Sequence, residues 1–217
     1  MSAKRAKPKN ATSSAGPSAA DSADLTLGIE DRALDAALRL AATRRWTDIA
    51  LGEIAAEAGL TLGEMLRHVR SKSALLASFS RRIDEAMLAT PAEADGSVKD
   101  RLFELLMRRF DALGAYRDAV QGILDGMARD PATTLCQGPA LVASMRYLGD
   151  AAGVKTTGLL GPLKINALAA VYLCTLRVWL KDDSADAAKT MADLDKKLGR
   201  LESWTSSFPA FLKSSPT

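Results

Sequence analysis

The basic side chains of this sequence concentrate near its N-terminal end, in a pattern that suits the binding of phosphate groups. Between residues 31 and 82, nine Lys and Arg side chains stand against six Asp and Glu side chains, and nine minus six leaves a charge of +3. Arg67 and Arg70 lie close together within this segment. Four more basic residues open the chain: Lys4, Arg5, Lys7 and Lys9. Such an excess is what a nucleic-acid surface requires, although a solvated helical surface can show it too.

No set of residues in the sequence predicts an enzyme or a metal site. His68 is the single histidine, and Cys136 and Cys174 lie far apart in apolar surroundings, so neither a metal cluster nor a disulfide framework is predicted. Phosphate-binding glycine loops and a nucleophile elbow are absent. We therefore expect no catalytic activity and no cofactor. Because no apolar signal segment follows the basic start, we expect a cytoplasmic protein.

Helical periodicity runs through almost the whole chain beyond residue 30, and no alternating run predicts a strand. Gly59 ends one short helix, and Thr61 followed by Glu64 is a capping box that begins the next. Two short helices joined by a turn containing Gly are typical of a helix-turn-helix. Helices are predicted at about 31–45, 50–58, from 61 onward, and then at about 72–89, 97–113, 116–129, 132–150, 159–182 and 185–208.

These elements predict an all-α fold of about nine helices, with a three-helix N-terminal head and a C-terminal helical bundle. The segment 1–28 is predicted to be a disordered basic arm, because it contains few large apolar side chains. The helix-turn-helix domain is placed at 29–76 and the bundle at 77–213. The apolar stretch 159–180 contains Lys164, Asn166 and Arg177, so we interpret it as a buried helix and not as a membrane span.

Residues 31–82 resemble the DNA-binding domain of TetR-family transcriptional regulators. The resemblance rests on three stretches whose spacing agrees without gaps: Ala33-Leu34-Asp35-Ala36-Ala37-Leu38; Ile54-Ala55-Ala56-Glu57-Ala58-Gly59-Leu60-Thr61; and Gly63, His68, Ser71-Lys72 and Leu75-Leu76. It covers about a quarter of the chain. It implies a regulator that binds operator DNA, and a dimer formed by the last two helices of each subunit.

The resemblance also implies the residues that bind DNA. Lys72 matches the family's phosphate-binding lysine and His68 matches its histidine, while Arg67 is expected in the major groove, with Thr61 and Arg70 on phosphates. The sequence departs from the family pattern at several positions. Ile49 and Ala50 replace Thr or Ser, Leu66 replaces an aromatic residue, Val69 replaces Phe, and Leu62 and Glu64 occupy positions that often contact DNA. Glu64 is expected to serve the capping box.

The bundle is expected to hold a small apolar effector of unknown identity that relieves repression. Five side chains are candidates to line its pocket, although each is also a candidate for plain core: Tyr116, Met145, Tyr147, Tyr172 and Trp179. The final helix repeats apolar residues every three or four positions, which predicts a seam along a partner helix. We predict a homodimer through a four-helix bundle whose centre holds Leu168, Tyr172, Leu176, Leu194, Leu198 and Leu201.

A second interpretation comes from distant relatives of the same fold, the lipid-binding accessory proteins of ubiquinone biosynthesis. Their helix-turn-helix no longer binds DNA. Three segments of this chain resemble segments of those lipid-binding proteins: Trp46-Thr47, Ala169-Ala170-Val171-Tyr172 and Lys181-Asp182-Asp183-Ser184-Ala185-Asp186. Under this interpretation the chain binds a lipid or isoprenoid. A membrane contact would then come from four apolar residues near Lys213: Trp204, Phe208, Phe211 and Leu212.

Overall fold

A computed structural model describes residues 19–92, 95–129, 131–156, 158 and 160–206, with side chains described from residue 28 onward except for 131–137 and 205–206. Within these ranges the chain forms nine α-helices, two short 3-10 turns and no strand, which confirms the all-α prediction. The helices are α1 (Ala19–Thr43), α2 (Leu51–Glu57), α3 (Leu62–His68), α4 (Lys72–Leu88), α5 (Val98–Leu113), α6 (Arg117–Met127), α7 (Pro131–Ala151), α8 (Gly161–Trp179) and α9 (Ala188–Ser206). The 3-10 turns are Trp46–Asp48 and Gly114–Tyr116.

The first three helices form the head, and α4 to α9 form the body. In the head, α1 packs on both α2 and α3, and α4 then carries the chain into the body. In the body, α4 packs on α5 and α7, while α8 packs on α7 and α9. The buried apolar side chains of head and body form one continuous cluster. The predicted domain boundary at residue 76 lies inside α4, which is a continuous helix.

The first helix begins earlier than the sequence predicted. It starts at Ala19, not near residue 31, so residues 19–28 of the predicted disordered arm are helical, while 1–18 lie outside the described residues. The added segment contains three alanines and two leucines and no proline. Ala and Leu have the highest helix propensities, and extending a helix that already exists avoids the cost of nucleation. A low content of large apolar side chains therefore did not prevent residues 19–28 from being helical.

The last helix begins three residues later than predicted, because a side chain closes the turn before it. The Asp182 carboxylate accepts hydrogen bonds from the Thr190 amide at 2.8 Å and from the Thr190 hydroxyl at 2.7 Å. It also accepts from the Ser184 amide at 3.2 Å. These hydrogen bonds lower the pKa of Asp182 well below its usual range, the bond from Ser184 first. Ala187, with a φ of 53°, completes the turn, and α9 starts at Ala188.

Head and body meet where α6 lies directly on the end of α1. A Cβ atom on Gly122 would be 2.0 Å from the carbonyl oxygen of Ala41, so only glycine allows this approach. A Cβ on Gly126 would likewise come within 3.0 Å of the Trp46 Cβ. The two glycines stand one helical turn apart on α6. They therefore form a flat surface on which the head rests.

The predicted centre of the dimer interface is wrong. Leu168, Leu176, Leu194 and Leu198 are all buried within a single chain, because α8 and α9 turn these apolar faces towards each other and towards α5. Most of the residues that were predicted to lie between two subunits therefore belong to the core of a single subunit. Tyr172 is buried as well, and Leu201 is half-buried. The large apolar side chains that α8 exposes are Leu163 and Leu173.

Candidate nucleic-acid interface

The turn between α2 and α3 is closed as the capping box predicts. Gly59 adopts a φ of +67°, and the Leu60 amide donates to the carbonyl of Ala55 at 2.9 Å, which ends α2. At the start of α3 the Glu64 amide donates to the Thr61 hydroxyl oxygen at 3.2 Å, and the Glu64 carboxylate accepts from the Thr61 amide at 2.8 Å. The arrangement confirms that Glu64 serves the capping box.

The same carboxylate also engages the Thr61 hydroxyl, which was predicted to hold a phosphate. The hydroxyl donates to Glu64 at 2.7 Å, so its only proton is used while the box is closed. The hydrogen bonds from the Thr61 side chain and amide hold the pKa of Glu64 below its usual value. Thr61 therefore positions α3, and its hydroxyl cannot donate to a phosphate unless this bond opens.

The outer face of α3 combines apolar and basic side chains. Met65 is fully buried and anchors the helix on the head, whereas Leu62 is 43% exposed and Leu66 is 37% exposed. Arg67 is exposed in the last turn of α3, and Arg70 is exposed two residues beyond the helix end. The outer face of α3 therefore consists mainly of leucine and arginine side chains. The Glu64 carboxylate does not contribute to this face, because it is bonded to Thr61 at the N-cap.

Most of the other arginines between residues 31 and 82 are neutralised or anchored within the protein. Arg39 pairs with Glu57 at 2.9 Å and Arg44 pairs with Glu53 at 2.7 Å. The remaining contacts are those of Arg82 with Asp31 and Asp35, of Arg81 with Glu30, and of Arg32 with the carbonyl of Ala58. Among the described arginines of this segment, Arg45, Arg67 and Arg70 form no ion pair, and Arg32 is held only by backbone carbonyl oxygens. The excess of basic residues in the sequence therefore reduces to a few positions.

The Glu53 carboxylate also explains how α2 begins without Thr or Ser. Ala50 occupies the N-cap position and has no side-chain acceptor, so its amide donates to Glu53 at 2.7 Å. Arg44 and then the Ala50 amide hold the pKa of Glu53 below its usual value. The same carboxylate thus binds the end of α1 to the start of α2. The departure from the family pattern at this position is compensated within the head.

Lys72 lies at the start of α4, as predicted, but its ammonium group faces the protein. It donates to the carbonyl oxygens of Trp46 and, at 2.8 Å, of Ile49, and it lies 5.0 Å from the centre of the Trp46 ring. These contacts span more than twenty positions of the chain, which a local sequence pattern cannot indicate. Lys72 fixes the turn between α1 and α2 against α4. His68, the last residue of α3, is half-buried.

The structure does not bring the five predicted pocket residues together. Met145 is fully buried, and Tyr172 and Trp179 stack on Phe110 with ring centres 5.8 and 5.9 Å apart. Tyr116 meets the ring of Phe79 edge-on at 5.3 Å. Tyr147 is 56% exposed and belongs to the surface. Three of the five are therefore core side chains, one packs at the edge of the core and one faces solvent.

A cavity of about 490 Å³ lies elsewhere in the body, between the start of α5, the link from α7 to α8, the first half of α8 and the end of α9. Apolar side chains form its floor and three lysines stand around it: Lys99, Lys155 and Lys164. The sequence did not predict this cavity, because the candidate pocket residues were mostly aromatic and this cavity is lined by aliphatic side chains and lysines. The lysines are spread over more than sixty positions of the sequence and converge only in the fold.

Two further kinds of site are absent from the described part of the chain. No group of three or more His, Cys, Asp or Glu side chains there is arranged to hold a metal ion. None of the described helices combines the length and the apolar character that a membrane crossing needs.

Three solved structures share this fold over most of the chain. A TetR transcriptional regulator from Nitrosomonas europaea has 23% sequence identity and a TM-score of 0.63, over 81% of this chain and 98% of its own. A TetR transcriptional regulator from Rhodococcus sp. RHA1 has 20% identity and a TM-score of 0.61, over 82% and 97%. A TetR-family regulator from Streptomyces coelicolor has 16% identity and a TM-score of 0.59, over 85% and 87%. No family model and no curated protein matches the sequence.

Proposed function

We propose that this chain, which has the fold of TetR-type transcriptional regulators, is a DNA-binding regulator and not an enzyme. The observation that carries the proposal is the exposure of Arg67 and Arg70 at the end of α3, where no described carboxylate pairs with them. An arginine that is already paired within the protein must break that pair before it can contact DNA. Arg70 has no such competition. Arg67 helps to lower the pKa of Glu64 through its charge but forms no ion pair with it, and both arginines stand at the end of the helix-turn-helix.

The roles follow from position and side-chain chemistry. Arg67, in the last turn of α3, would enter the major groove and hydrogen-bond a base edge, while Arg70 would hold a backbone phosphate. Leu62 and Leu66 would contact thymine methyl groups, since apolar side chains recognise those groups in the major groove. Lys72 and Thr61 would act by positioning α3. The two subunits of a dimer would then read a palindromic operator.

The dimer itself belongs to the proposal. The outward side of α8 exposes Leu163, Leu173 and Cys174, whereas the exposed side of α9 is rich in charge. Apolar surface is the part of a helix that association covers most favourably. We therefore place the two-fold contact on α8, with Leu173 near its centre. Leu173→Lys should shift sedimentation towards the monomer, while Leu88→Lys, at an equally exposed leucine of α4, should not.

Gel shifts with the DNA that flanks its own gene test the function. The wild-type protein should bind there with a strong dependence on salt, because counterions are released from the duplex. Arg67→Ala should weaken binding by about 1–3 kcal/mol and relax the preference for the contacted base, whereas Arg70→Ala should weaken binding of all sequences similarly and lower the salt slope by about 1. Arg39→Ala is the matched control, because Arg39 is exposed but already paired with Glu57. Wild-type binding that does not depend on DNA sequence would contradict the proposal.

A second function, the binding of a lipid or isoprenoid in quinone biosynthesis, would apply if α3 does not bind DNA. Leu62 and Leu66 expose apolar surface on α3, where a helix that reads bases usually offers polar side chains. Absence of operator binding, together with an isoprenoid that copurifies and is identified by mass spectrometry, would select this function over the first.

A further inference from the structure

The cavity of the body has a floor that is almost entirely apolar. Leu102, Ile165, Leu168 and Leu198 line it, and each of the four is itself buried. A volume of about 490 Å³ falls within the range of small-molecule sites. Binding of an apolar chain there would be favourable, because it removes apolar surface from water.

The wall of this cavity is held in place by the link between α7 and α8. The Arg101 guanidinium donates to the Ala152 carbonyl at 2.9 Å, and Gly153 turns the chain with a φ of +76°. Gly161 lies so close to the link that a Cβ atom would be 1.9 Å from the Thr156 carbonyl oxygen. The Thr156 hydroxyl donates to Asp150 at 2.7 Å. These contacts hold the described residues of the link against α5 and α8, and such preorganisation lowers the entropic cost of binding.

The mouth of the cavity carries more positive than negative charge. Lys99 pairs with Asp195 at 2.6 Å, and that partner raises its pKa. Lys155 is exposed, and no described carboxylate pairs with it or with Lys164, whose ammonium donates to the Lys155 carbonyl at 3.4 Å. Glu202 is the acidic side chain among the described lining residues. Two lysines are thus placed to attract an anion at the end of an apolar chamber.

We propose that this cavity binds a single-chain aliphatic carboxylate, with the chain against the leucines of the floor and the carboxylate between Lys155 and Lys164. The inference rests on the proposed function only in that the ligand would be the effector of the regulator. A cationic amphiphile would meet the same lysines as like charges. A polar metabolite would leave its hydroxyl groups unpaired against the leucines, which is costly.

Calorimetric titration of the full-length protein with decanoate tests the site. Decanoate should bind at least about tenfold more tightly than decyltrimethylammonium, because both have an unbranched apolar chain but their headgroups carry opposite charges. The variant Lys155→Glu/Lys164→Glu should reverse that preference. Lys189→Glu/Lys196→Glu is the matched control, since both lysines are exposed on α9 away from the cavity. Leu201→Trp, at the half-buried rim, should fill the chamber and abolish binding of either amphiphile.

Equal affinity for the two amphiphiles, or equal effects of the two double variants, would overturn the proposal. Phosphatidylglycerol vesicles form a separate arm, because a lipid headgroup is another source of anionic charge on an acyl chain. Sedimentation with vesicles that needs Lys155 and Lys164, without binding of decanoate, would overturn the free-carboxylate site in favour of a membrane lipid.

The link to DNA is measured separately, by adding decanoate to the gel shift. Release of operator DNA by decanoate, lost in Leu201→Trp, would support both proposals. If the protein binds decanoate in calorimetry but never binds DNA, the ligand site is supported and the DNA-binding function is contradicted. If it binds operator DNA but not decanoate, the ligand site is contradicted and the DNA-binding function is supported.

Discussion

The head and the body of this protein place their charged side chains in opposite ways. In the head, the pairs Arg39–Glu57 and Arg44–Glu53 lie on the surface, with each side chain two-fifths exposed or more. In the body, Arg109 and Asp84 form a pair that is almost fully buried, and the Ser144 hydroxyl donates to the same carboxylate at 2.6 Å. Water screens the first kind of pair, whereas the second has no alternative partner in solvent.

This difference indicates which charged residues can be substituted in each region without unfolding the protein. The head can lose an ion pair at little cost, so its surface can vary while α3 keeps its position. The body depends on Arg109, which also lies over the ring of Tyr172 at 5.0 Å and whose Nε has no hydrogen-bond partner among the described residues. The exposed arginines of α3 are available for recognition, whereas the buried Arg109–Asp84 pair of the body is structural.

The largest expected effect is the loss of the buried carboxylate. Asp84→Ala would leave the Arg109 guanidinium buried without its counterion, which costs about 3–5 kcal/mol of unfolding free energy. Urea denaturation followed by circular dichroism measures it. Asp84→Leu combined with Arg109→Met should recover much of the loss, because an apolar pair avoids the unpaired charge. A loss below about 1 kcal/mol would mean that the body tolerates charge as the head does.

The contact between the two regions should be nearly as sensitive. Gly122→Ala would place a methyl group against the carbonyl of Ala41, and overpacking of this kind costs about 1–3 kcal/mol. Denaturation and the gel shift should both report it, since the end of α1 must move. Gly52→Ala is the control, because a Cβ there meets open space in α2. Equal stability of the two variants would show that α6 and α1 are not held in contact.

Removal of a surface pair from the head should have a much smaller effect. Glu57→Ala breaks the ion pair with Arg39, and exposed pairs contribute about 0.2–1 kcal/mol. The same denaturation measurement, run beside Asp84→Ala, gives the comparison directly. A loss as large as that of Asp84→Ala would remove the distinction between surface charge in the head and buried charge in the body.

The smallest effect concerns pH and the capping box of α3. The folded pKa of Glu64 lies below its unfolded value, the hydrogen bond from the Thr61 side chain being the first cause. Its contribution is therefore complete above the ordinary glutamate pKa of about 4.3 and is lost as the pH falls through the lower folded value. Glu64→Gln keeps an acceptor but cannot ionise. Stability measured against pH for both proteins should differ most at neutral pH and converge in acid, and parallel curves would contradict this assignment.

Local patterns were sufficient for the elements but not for the site. The Thr61 and Glu64 capping box, the Gly59 turn and most helix ends depend on neighbours within a few positions, so the sequence alone predicts them. The roles of Lys72 and of the pocket residues were harder to predict. Lys72 makes its contacts across 26 and 23 positions, and the predicted aromatic residues pack on a core formed by several helices. The type of a residue shows which groups its side chain can bind, but only the fold shows which of these groups lies within contact distance.

The sequence by itself determined the all-α fold, the helix-turn-helix and the chemistry available at each position, because helical periodicity, caps and glycine turns act over one or two turns of chain. The tertiary structure decided which of those chemistries remain available. It paired Arg39 and Arg44, turned Lys72 inward, buried Leu194 and Leu198 within one chain and brought three distant lysines to one cavity. Each outcome depends on distances between helices far apart in sequence, and these distances are set only when the apolar faces pack.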